Sequence, residues 1–193
     1  MEVRHRIFVA VTLTPALRAS VAAVRGELGA AAHRLRWVPP ENLHLTLRFL
    51  GEITPPEVMR VVSAVEEAAA PAAPFAVTLA GAGAFPTARD PRVVWVGVTE
   101  GADRLVILAG VLEAALRRRE FPGEARPFRP HLTVARPRAG ERPPDLTAAL
   151  ARAAAFVAGS QRVEALAVME STLRPSGSTY REVAREALMG QAR

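Results

Sequence analysis

The sequence predicts an α+β fold of two related lobes, each an antiparallel sheet with helices on its outer face, with a central cleft between them. Strand-like and helix-like segments alternate along the 193 residues. One phrase occurs twice, as His44-Leu45-Thr46-Leu47 and His131-Leu132-Thr133-Val134, and similar blocks of strand and helix surround each copy. Such repetition indicates a duplicated unit. The length suits one domain, so we expect residues 1–193 to form a single bilobal domain.

The first half of the chain contains two helices with recognisable start signals. Thr14-Pro15 combines an N-cap with proline at the first helical position, and Thr54-Pro55-Pro56-Glu57 is a capping signature before an apolar helical stripe. Pro71 and Pro74 end the second helix. In order, we predict a buried strand at 6–11, a helix at 16–32, a short strand at 34–38, the strand that carries His44, and a helix from 54 onward.

The second half repeats this pattern and ends in a hairpin. Leucines at 105, 108, 112 and 116 define one face of a helix, and residues 121–130 form a loop rich in Pro and Arg. In order, we predict strands at 75–79 and 93–98 joined through a turn at 81–86, a helix at 102–119, the strand that carries His131, a loop at 138–144, a helix at 145–158, a strand at 163–173, a tight turn at 175–178 and a final strand at 180–187.

Composition excludes several classes of chemistry. All 25 basic residues are arginine, and the chain has no cysteine. Without lysine there is no lysyl-nucleotide intermediate, no Schiff base and no P-loop lysine. Without cysteine there is no disulfide, no thiol nucleophile and no thiolate metal site.

Charge and hydropathy indicate the setting in which the protein works. The net charge of +6 favours polyanionic partners, although a codon bias toward Arg, Ala and Pro would produce the same excess. The N-terminal apolar run has about six residues, too short for a signal peptide or a membrane span. We therefore expect a cytoplasmic protein that does not contact a membrane. No feature demands more than a monomer.

The repeated phrase places a histidine and a threonine side by side. Side chains alternate along a strand, so His44 and Thr46 share one face while the leucines point to the core, and the same holds for His131 and Thr133. Two imidazoles with ordinary pKa values near ~6.5 can serve as the base and the acid that phosphodiester cleavage requires. The threonine hydroxyls can donate hydrogen bonds to phosphate oxygens. This chemistry requires no metal.

The alternative readings of the two histidines are weaker. A lone histidine on a strand is more often structural, but the same phrase twice disfavours that interpretation. Neither motif carries a carboxylate in register with its histidine, and no His-Glu-x-x-His is present, so a zinc site is not indicated.

The residues around both motifs resemble the signature stretches of the 2H phosphoesterase superfamily. These are WVPPENLHLTLRFLG at 37–51 and FRPHLTVAR at 128–136, with supporting similarity at 6–10, 83–86, 94–96, 171–173, Gly177 and Tyr180. Within that superfamily they look like the RNA 2′,3′-cyclic phosphodiesterases, also called the 2′-5′ RNA ligase family. The similarity covers nearly the whole chain and implies the bilobal 2H phosphoesterase fold.

The resemblance implies a reaction and a role for each motif residue. The implied partner is RNA with a 2′,3′-cyclic phosphate end, which is hydrolysed to a 2′-phosphate without cofactor or metal. His44 is implied to donate a proton to the departing ribose oxygen, and His131 to accept one from water. Thr46 and Thr133 are implied to hold the phosphate. The residues alone do not say which histidine is the acid.

Further side chains are candidates for binding the substrate. Arg136 could clamp the phosphate, but by strict alternation it faces away from His131 unless the strand bulges or ends there. Arg48, in contrast, alternates onto the face of His44. Phe128 and Tyr180 are the preferred stacking platforms for RNA bases. Arg126 and Arg129 are candidates for contacts with the RNA backbone.

Three other functions remain open on the same residues. The two histidines could run the reaction backwards and join RNA ends through a 2′-5′ linkage without ATP. The chain could be a non-catalytic module that binds RNA ends. It could also act on a small cyclic nucleotide derivative instead of RNA.

Overall fold

The computed structural model describes residues 3–174 and 177–191. In chain order its helices and strands are β1 (His5–Thr12), α1 (Pro15–Ala22), α2 (Val24–Glu27), β2 (Leu35–Trp37), β3 (His44–Ile53), α3 (Pro55–Ala69), β4 (Phe75–Pro86), β5 (Pro91–Glu100), α4 (Ala102–Arg117), β6 (His131–Pro137), α5 (Thr147–Arg152), β7 (Val157–Val163), β8 (Ala165–Arg174) and β9 (Gly177–Ala187). Short 3₁₀ turns cover Gly29–Arg34, Pro40–Asn42 and Ala153–Ala155.

The strands form two antiparallel sheets. The first sheet has the order β3-β1-β8-β9, and the second has the order β2-β6-β5-β4-β7. The strand that begins with His44, β3, pairs with β1 at the edge of the first sheet, and the strand that begins with His131, β6, pairs with β5 and β2 inside the second sheet. The predicted α+β architecture of two related antiparallel sheets is therefore confirmed.

The two halves of the chain exchange strands. β2, from the first half, pairs with β6 in the second sheet. The C-terminal hairpin of β8 and β9 completes the first sheet, where β8 pairs with β1. Helices α3 and α4 pack against each other, with α3 over the first sheet, whereas α1 contacts β7 of the second. Leucine, valine and alanine side chains from these layers form a continuous core.

Three predicted elements differ from the observed ones. The helix expected at 16–32 is interrupted at Ala23, which separates α1 from α2, and its α-helical part ends before Gly29, which takes a left-handed φ of 56° and begins a 3₁₀ turn. The turn expected at 81–86 is strand, since Gly81 (φ 66°) sits where the β4–β5 register shifts and the strand continues past it. The helix expected at 145–158 is only α5 and one 3₁₀ turn, and β7 follows it.

Strand β7 lies in a segment whose sequence gives little strand signal. Its residues Gly159, Ser160, Gln161 and Arg162 are polar or flexible, so local propensity does not identify it. Pairing with β4 stabilises it in the folded protein. Residues 175 and 176 of the predicted tight turn lie outside the described residues.

Candidate functional site

Side chains from both sheets line one cavity of about 390 Å³, here called the shared cavity. The first sheet contributes Arg6, Phe8, His44, Thr46, Phe49 and Tyr180. The second sheet contributes His131, Thr133 and Arg136. Both histidine-threonine pairs, which are far apart in the chain, therefore face the same space.

The two imidazoles are oriented by the same backbone device. His44 Nδ1 lies 2.7 Å from the carbonyl oxygen of Asn42, and His131 Nδ1 lies 2.6 Å from that of Arg129. A carbonyl oxygen only accepts hydrogen bonds, so each Nδ1 carries the proton. In the neutral ring Nε2 then carries the free lone pair and can act as a base. In the protonated ring Nε2 carries a proton and can act as an acid.

Aromatic rings surround the two histidines differently. The ring of Phe8 stacks on His44 at 4.7 Å between centroids, and Tyr180 meets it edge-on at 5.3 Å. Phe85 contacts His131 edge-on at 5.2 Å. His44 is consequently enclosed between two rings, whereas one ring among the described residues contacts His131.

Burial changes the protonation of His44. Desolvation lowers the pKa of His44 below its usual value of 6.5, and the positive charge of Arg18 lowers that pKa further. The hydrogen bond to the Asn42 carbonyl opposes both effects. In the ligand-free protein the neutral form of His44 is therefore favoured near neutral pH.

The hydroxyls of Thr46 and Thr133 are available to a ligand. Both side chains line the shared cavity and are partly buried. Within residues 3–174 and 177–191 neither hydroxyl has a hydrogen-bond partner. Two neutral donors thus stand beside two titratable rings.

A β-bulge brings Arg136 into the shared cavity. In the β5–β6 ladder Trp95 pairs with Thr133 and Val94 pairs with Ala135, so Val134 is an extra residue. The extra residue shifts the alternation by one position, and Arg136 joins the face of His131 and Thr133. Of the two ways in which Arg136 could reach the cleft, a bulge or the end of the strand, the structure shows the bulge.

The matching bulge in β3 moves Arg48 away. Ala10 pairs with Thr46 and Val9 with Arg48, which leaves Leu47 unpaired. Phe49 lines the cavity in place of Arg48. The expectation that Arg48 shares the face of His44 is therefore wrong.

Arg48 instead connects β3 to α4 and the loop after it. Its guanidinium binds Glu124 at 2.7 Å and Glu113 at 3.3 Å and donates to the carbonyl oxygen of Pro122. These partners account for its burial, since its side chain is 11% exposed.

The structure separates the two predicted aromatic platforms. Tyr180 lines the shared cavity next to His44, because the C-terminal hairpin completes the first sheet. Phe128 is not among the described residues that line it, and packs partly buried against the core. Arg126 and Arg129 are exposed, and the backbone carbonyl of Arg129 orients His131.

Several cavity residues were not singled out from the sequence. Arg6 lies over the ring of Phe49, with its guanidinium carbon 4.7 Å from the ring centroid, and Phe49 is 44% exposed at the rim. Asn42 lines the cavity and donates to the carbonyl oxygen of Ser178 at 2.7 Å. The fifth residue after each histidine lines the cavity in both copies, as Phe49 in one and as Arg136 in the other. The repeat in the sequence therefore contained a signal for this position.

Among the described residues no group of three or more His, Asp or Glu side chains is placed to hold a metal ion. None of the helices in those residues is long and apolar enough to cross a membrane.

Comparison with families and relatives gives one consistent match. The model of the LigT-like phosphoesterases matches residues 11–95 and again residues 96–180. An RNA 2′,3′-cyclic phosphodiesterase of Methanothermobacter thermautotrophicus is 33% identical over 178 residues, which is 92% of this chain and 96% of that protein. One of Aquifex aeolicus is 34% identical over 146 residues, covering 75% and 77%.

Solved structures share the fold over almost the full length. TT0787 of Thermus thermophilus superposes with a TM-score of 0.79 at 30% identity, covering 97% of this chain and 100% of that one. LigT of E. coli in complex with 3′-AMP superposes with a TM-score of 0.74 at 29% identity, covering 96% and 99%. Each of the two segments matched by the family model contains one histidine-threonine pair.

Proposed function

The chain belongs to the LigT-like phosphoesterases, and on that premise we propose that it is a hydrolase that opens 2′,3′-cyclic phosphate ends of RNA to terminal 2′-phosphates. The observation that carries the proposal is the shared cavity, in which His44, Thr46, His131 and Thr133 from two different sheets meet. Relatives that are 33% and 34% identical bear the name RNA 2′,3′-cyclic phosphodiesterase, which supports the same reaction.

The reaction needs one proton removed and one proton supplied. Water attacks the phosphorus while one imidazole Nε2 takes its proton, and the new bond joins phosphorus to the water oxygen. The bond from phosphorus to the ribose 3′ oxygen breaks, and the other imidazolium protonates that oxygen. The fixed Nδ1–H bonds to Asn42 and Arg129 leave Nε2 as the reacting atom on both rings.

Negative charge that develops on the phosphoryl oxygens meets fixed donors. We assign Thr46 and Thr133 as hydroxyl donors and Arg136 as the cationic clamp, because all three line the shared cavity. Tyr180, beside His44, is assigned to the nucleoside part of the substrate. Phe128 lies outside the cavity lining, so it is assigned no contact with the reacting nucleotide.

The role of proton donor at His44 depends on the bound substrate. Burial lowers the pKa of His44 in the free protein, and this disfavours the imidazolium that an acid must present. A phosphodiester anion in the shared cavity acts in the opposite direction, because a negative charge nearby stabilises the protonated ring. We therefore propose that His44 becomes the acid when substrate binds, and that His131 is the base.

End-group analysis tests the proposed function directly. An oligonucleotide with a 2′,3′-cyclic phosphate end is incubated with the protein in EDTA, and the product ends are identified. We expect a terminal 2′-phosphate from the wild type, with rate losses of at least about 100-fold in His44→Ala and in His131→Ala. Exposed His33→Ala is the matched control and should keep the wild-type rate.

Other outcomes of this assay would contradict the proposal in distinct ways. Loss of activity in EDTA would argue for a bound metal. RNA binding without turnover, surviving both histidine substitutions, would indicate a binding module. A rate on the mononucleotide far above that on the oligonucleotide would point to a small cyclic nucleotide as the substrate.

A joining reaction follows from the same arrangement. A 5′-hydroxyl RNA end can replace water as the nucleophile: the base takes its proton, the bond from phosphorus to the 5′ oxygen forms, the bond to the 3′ oxygen breaks, and the same acid protonates the 3′ oxygen. We expect a small amount of joined product when cyclic-ended RNA and 5′-hydroxyl RNA are incubated together without ATP. Absence of any longer product at high RNA concentration would argue against ligation.

A further inference from the structure

The face of the second sheet that carries His131 stays open beyond the shared cavity. One row of paired residues crosses β6, β5, β4 and β7 on this face, namely His131, Gly97, Ala80 and Val157. Val157, at the far end of the row, is 66% exposed. The next residues along these strands point to the opposite face and are fully buried in the core, as Leu79, Val96 and Leu132 show.

Trp95 lies flat on this open face. It pairs with Thr133 on one side and with Gly83 on the other, so its side chain points to the same face as Thr133. A Cβ built on Gly83 would lie 2.2 Å from the six-membered part of the ring, and one built on Gly97 would lie 3.4 Å from it. One face of the ring therefore covers the two glycines, and the side chain remains partly exposed. Among the described residues no guanidinium lies over the Trp95 ring.

Phe85 connects Trp95 to His131. The centroid of its ring lies 5.2 Å from that of Trp95 and 5.2 Å from that of His131. Phe85 is also partly exposed, and neither aromatic residue belongs to the lining of the shared cavity. The rings of Phe85 and Trp95, here called the Trp95 platform, therefore begin where the cavity ends, on the side of His131.

The proposed reaction gives this side of the cavity a defined occupant. In-line displacement places the attacking and the leaving oxygen on opposite sides of the phosphorus. With the leaving 3′ oxygen at His44, the attacking oxygen lies at His131, and any group bonded to it extends away from His44. Water carries no such group, whereas a 5′-hydroxyl RNA end brings a nucleoside to this position.

We infer that the Trp95 platform holds the 5′-terminal nucleoside of a second RNA strand, whose 5′ hydroxyl takes the place of water. This inference rests on the proposed function, which assigns the general base to His131. His131 takes the proton of the 5′ hydroxyl, the bond from phosphorus to the 5′ oxygen forms, the bond to the 3′ oxygen breaks, and His44 protonates that oxygen. The nucleobase of the incoming strand stacks on the platform, because unpaired bases bind to aromatic rings with little sequence preference.

The test measures how the cyclic-ended strand divides between the joined and the hydrolysed product. Both products arise from the same bound cyclic phosphate, so damage to the shared machinery lowers both and leaves their ratio unchanged. We expect Trp95→Leu and Phe85→Leu each to lower the ratio of joined to hydrolysed product about five- to tenfold at a fixed, subsaturating concentration of a 5′-hydroxyl oligoadenylate. Phe75→Leu, at the opposite end of β4 and also partly buried, is the matched control and should keep the wild-type ratio.

A second acceptor strand tests the platform without any substitution in the protein. An oligoadenylate whose 5′-terminal nucleotide lacks its base keeps the 5′ hydroxyl but has no ring to stack. We expect the wild type to join it about five- to tenfold less than the intact acceptor, and Trp95→Leu to join the two equally. Equal joining of both acceptors by the wild type, or wild-type ratios in both platform variants, would overturn the inference.

Failure of the inference differs from failure of the proposed function. Hydrolysis with no joined product at a saturating acceptor concentration would overturn the platform as an acceptor site and leave the hydrolase intact. If the wild type consumed the cyclic end by neither route, the proposed function would fail instead. The platform would then be judged by binding: Trp95→Leu should bind the intact 5′-hydroxyl oligoadenylate more weakly than the wild type, and equal affinities would refute it.

Discussion

His44 and His131 share a tautomer but differ in their surroundings. Each donates Nδ1–H to the carbonyl of the residue two positions earlier. His44 is enclosed by Phe8 and Tyr180, and its burial lowers its pKa. Because both rings are held by the same kind of backbone hydrogen bond, any difference between them as acid and base must come from their environments and from the substrate.

A substrate whose leaving group needs no proton distinguishes the acid from the base. If His44 is the acid, His44→Ala should lose much less activity on an aryl phosphodiester than on cyclic-ended RNA, because an aryl oxide departs unprotonated. His131→Ala, which lacks the base, should lose comparable activity on both. The measurement is kcat/KM on the two substrates, and the opposite pattern would exchange the assignments.

The lowered pKa of His44 also affects stability. The unfolded chain takes up a proton near pH 6.5 more readily than the folded one, so this histidine makes folding less favourable as the pH falls below that value. His44→Gln removes this contribution. We expect the drop in Tm between pH 7.5 and pH 5.5 to be smaller in His44→Gln than in the wild type. Exposed His33→Gln is the matched control, and equal drops in all three proteins would contradict the expectation.

At the scale of the strand, one extra residue in each of β3 and β6 decides which arginine faces the shared cavity. Leu47 in β3 and Val134 in β6 are bulge residues that shift the alternation after each histidine-threonine pair. Arg136 thereby enters the shared cavity, while Arg48 turns to Glu113 and Glu124.

The two arginines should therefore respond differently to the same substitution. Arg136→Gln should lower kcat/KM about 10- to 100-fold through loss of the phosphate clamp. Arg48→Gln should keep kcat/KM and lower the free energy of unfolding by about 1–3 kcal/mol, between the values of exposed and buried ion pairs. Kinetics and urea denaturation of both variants check this. A stable Arg48→Gln protein with a large kinetic defect would contradict it.

Close packing between β4 and β5 supports the side of the cavity that holds His131. A Cβ added to Gly83 would lie 2.2 Å from the ring of Trp95, and Trp95 contacts Phe85, which in turn contacts His131. Gly83→Ala must displace that ring.

We expect Gly83→Ala to destabilise the protein by about 1–3 kcal/mol, the usual cost of overpacking. Gly110→Ala is the control, because a Cβ there meets no atom within 4 Å and alanine favours the helix. That variant should be neutral or more stable by up to about 1 kcal/mol. Chemical denaturation of the two variants provides the comparison. Equal free energies of unfolding would show that the Trp95 ring can move without loss of stability.

At the scale of the molecule, the exchange of strands couples the two sheets. β2 leaves the first half of the chain for the second sheet, and the C-terminal hairpin returns to the first. This exchange supports the proposal that residues 1–193 form one domain. Neither half can complete its own sheet alone.

Unfolding should accordingly occur in one step. We expect a single calorimetric transition whose calorimetric and van't Hoff enthalpies agree. Two resolved transitions, or an isolated first half of the chain that folds by itself, would show that the sheets are independent domains.

Local sequence patterns predicted most of the elements and the histidine-threonine pairs. Alternation and capping signals located β1, β3, α3, α4 and β6, because these depend on the character of neighbouring residues. They failed at β7 and at the glycine-interrupted segments. Strand pairing stabilises β7, and Gly29 and Gly81 adopt left-handed conformations that composition alone does not reveal.

The sequence by itself determined the chemistry that this protein carries: two histidine-threonine pairs, no lysine, no cysteine and an excess of arginine. These are properties of residue types and of their spacing in the chain. Only the tertiary structure decided that the two pairs face one cavity and that the ring of Tyr180 contacts His44. It also decided that Arg136 lines this cavity and Arg48 does not. The physical reason is that the two histidine-threonine pairs are brought together by strand pairing between distant segments of the chain. The face on which Arg48 or Arg136 lies depends on bulges, which the periodicity of a single strand does not encode.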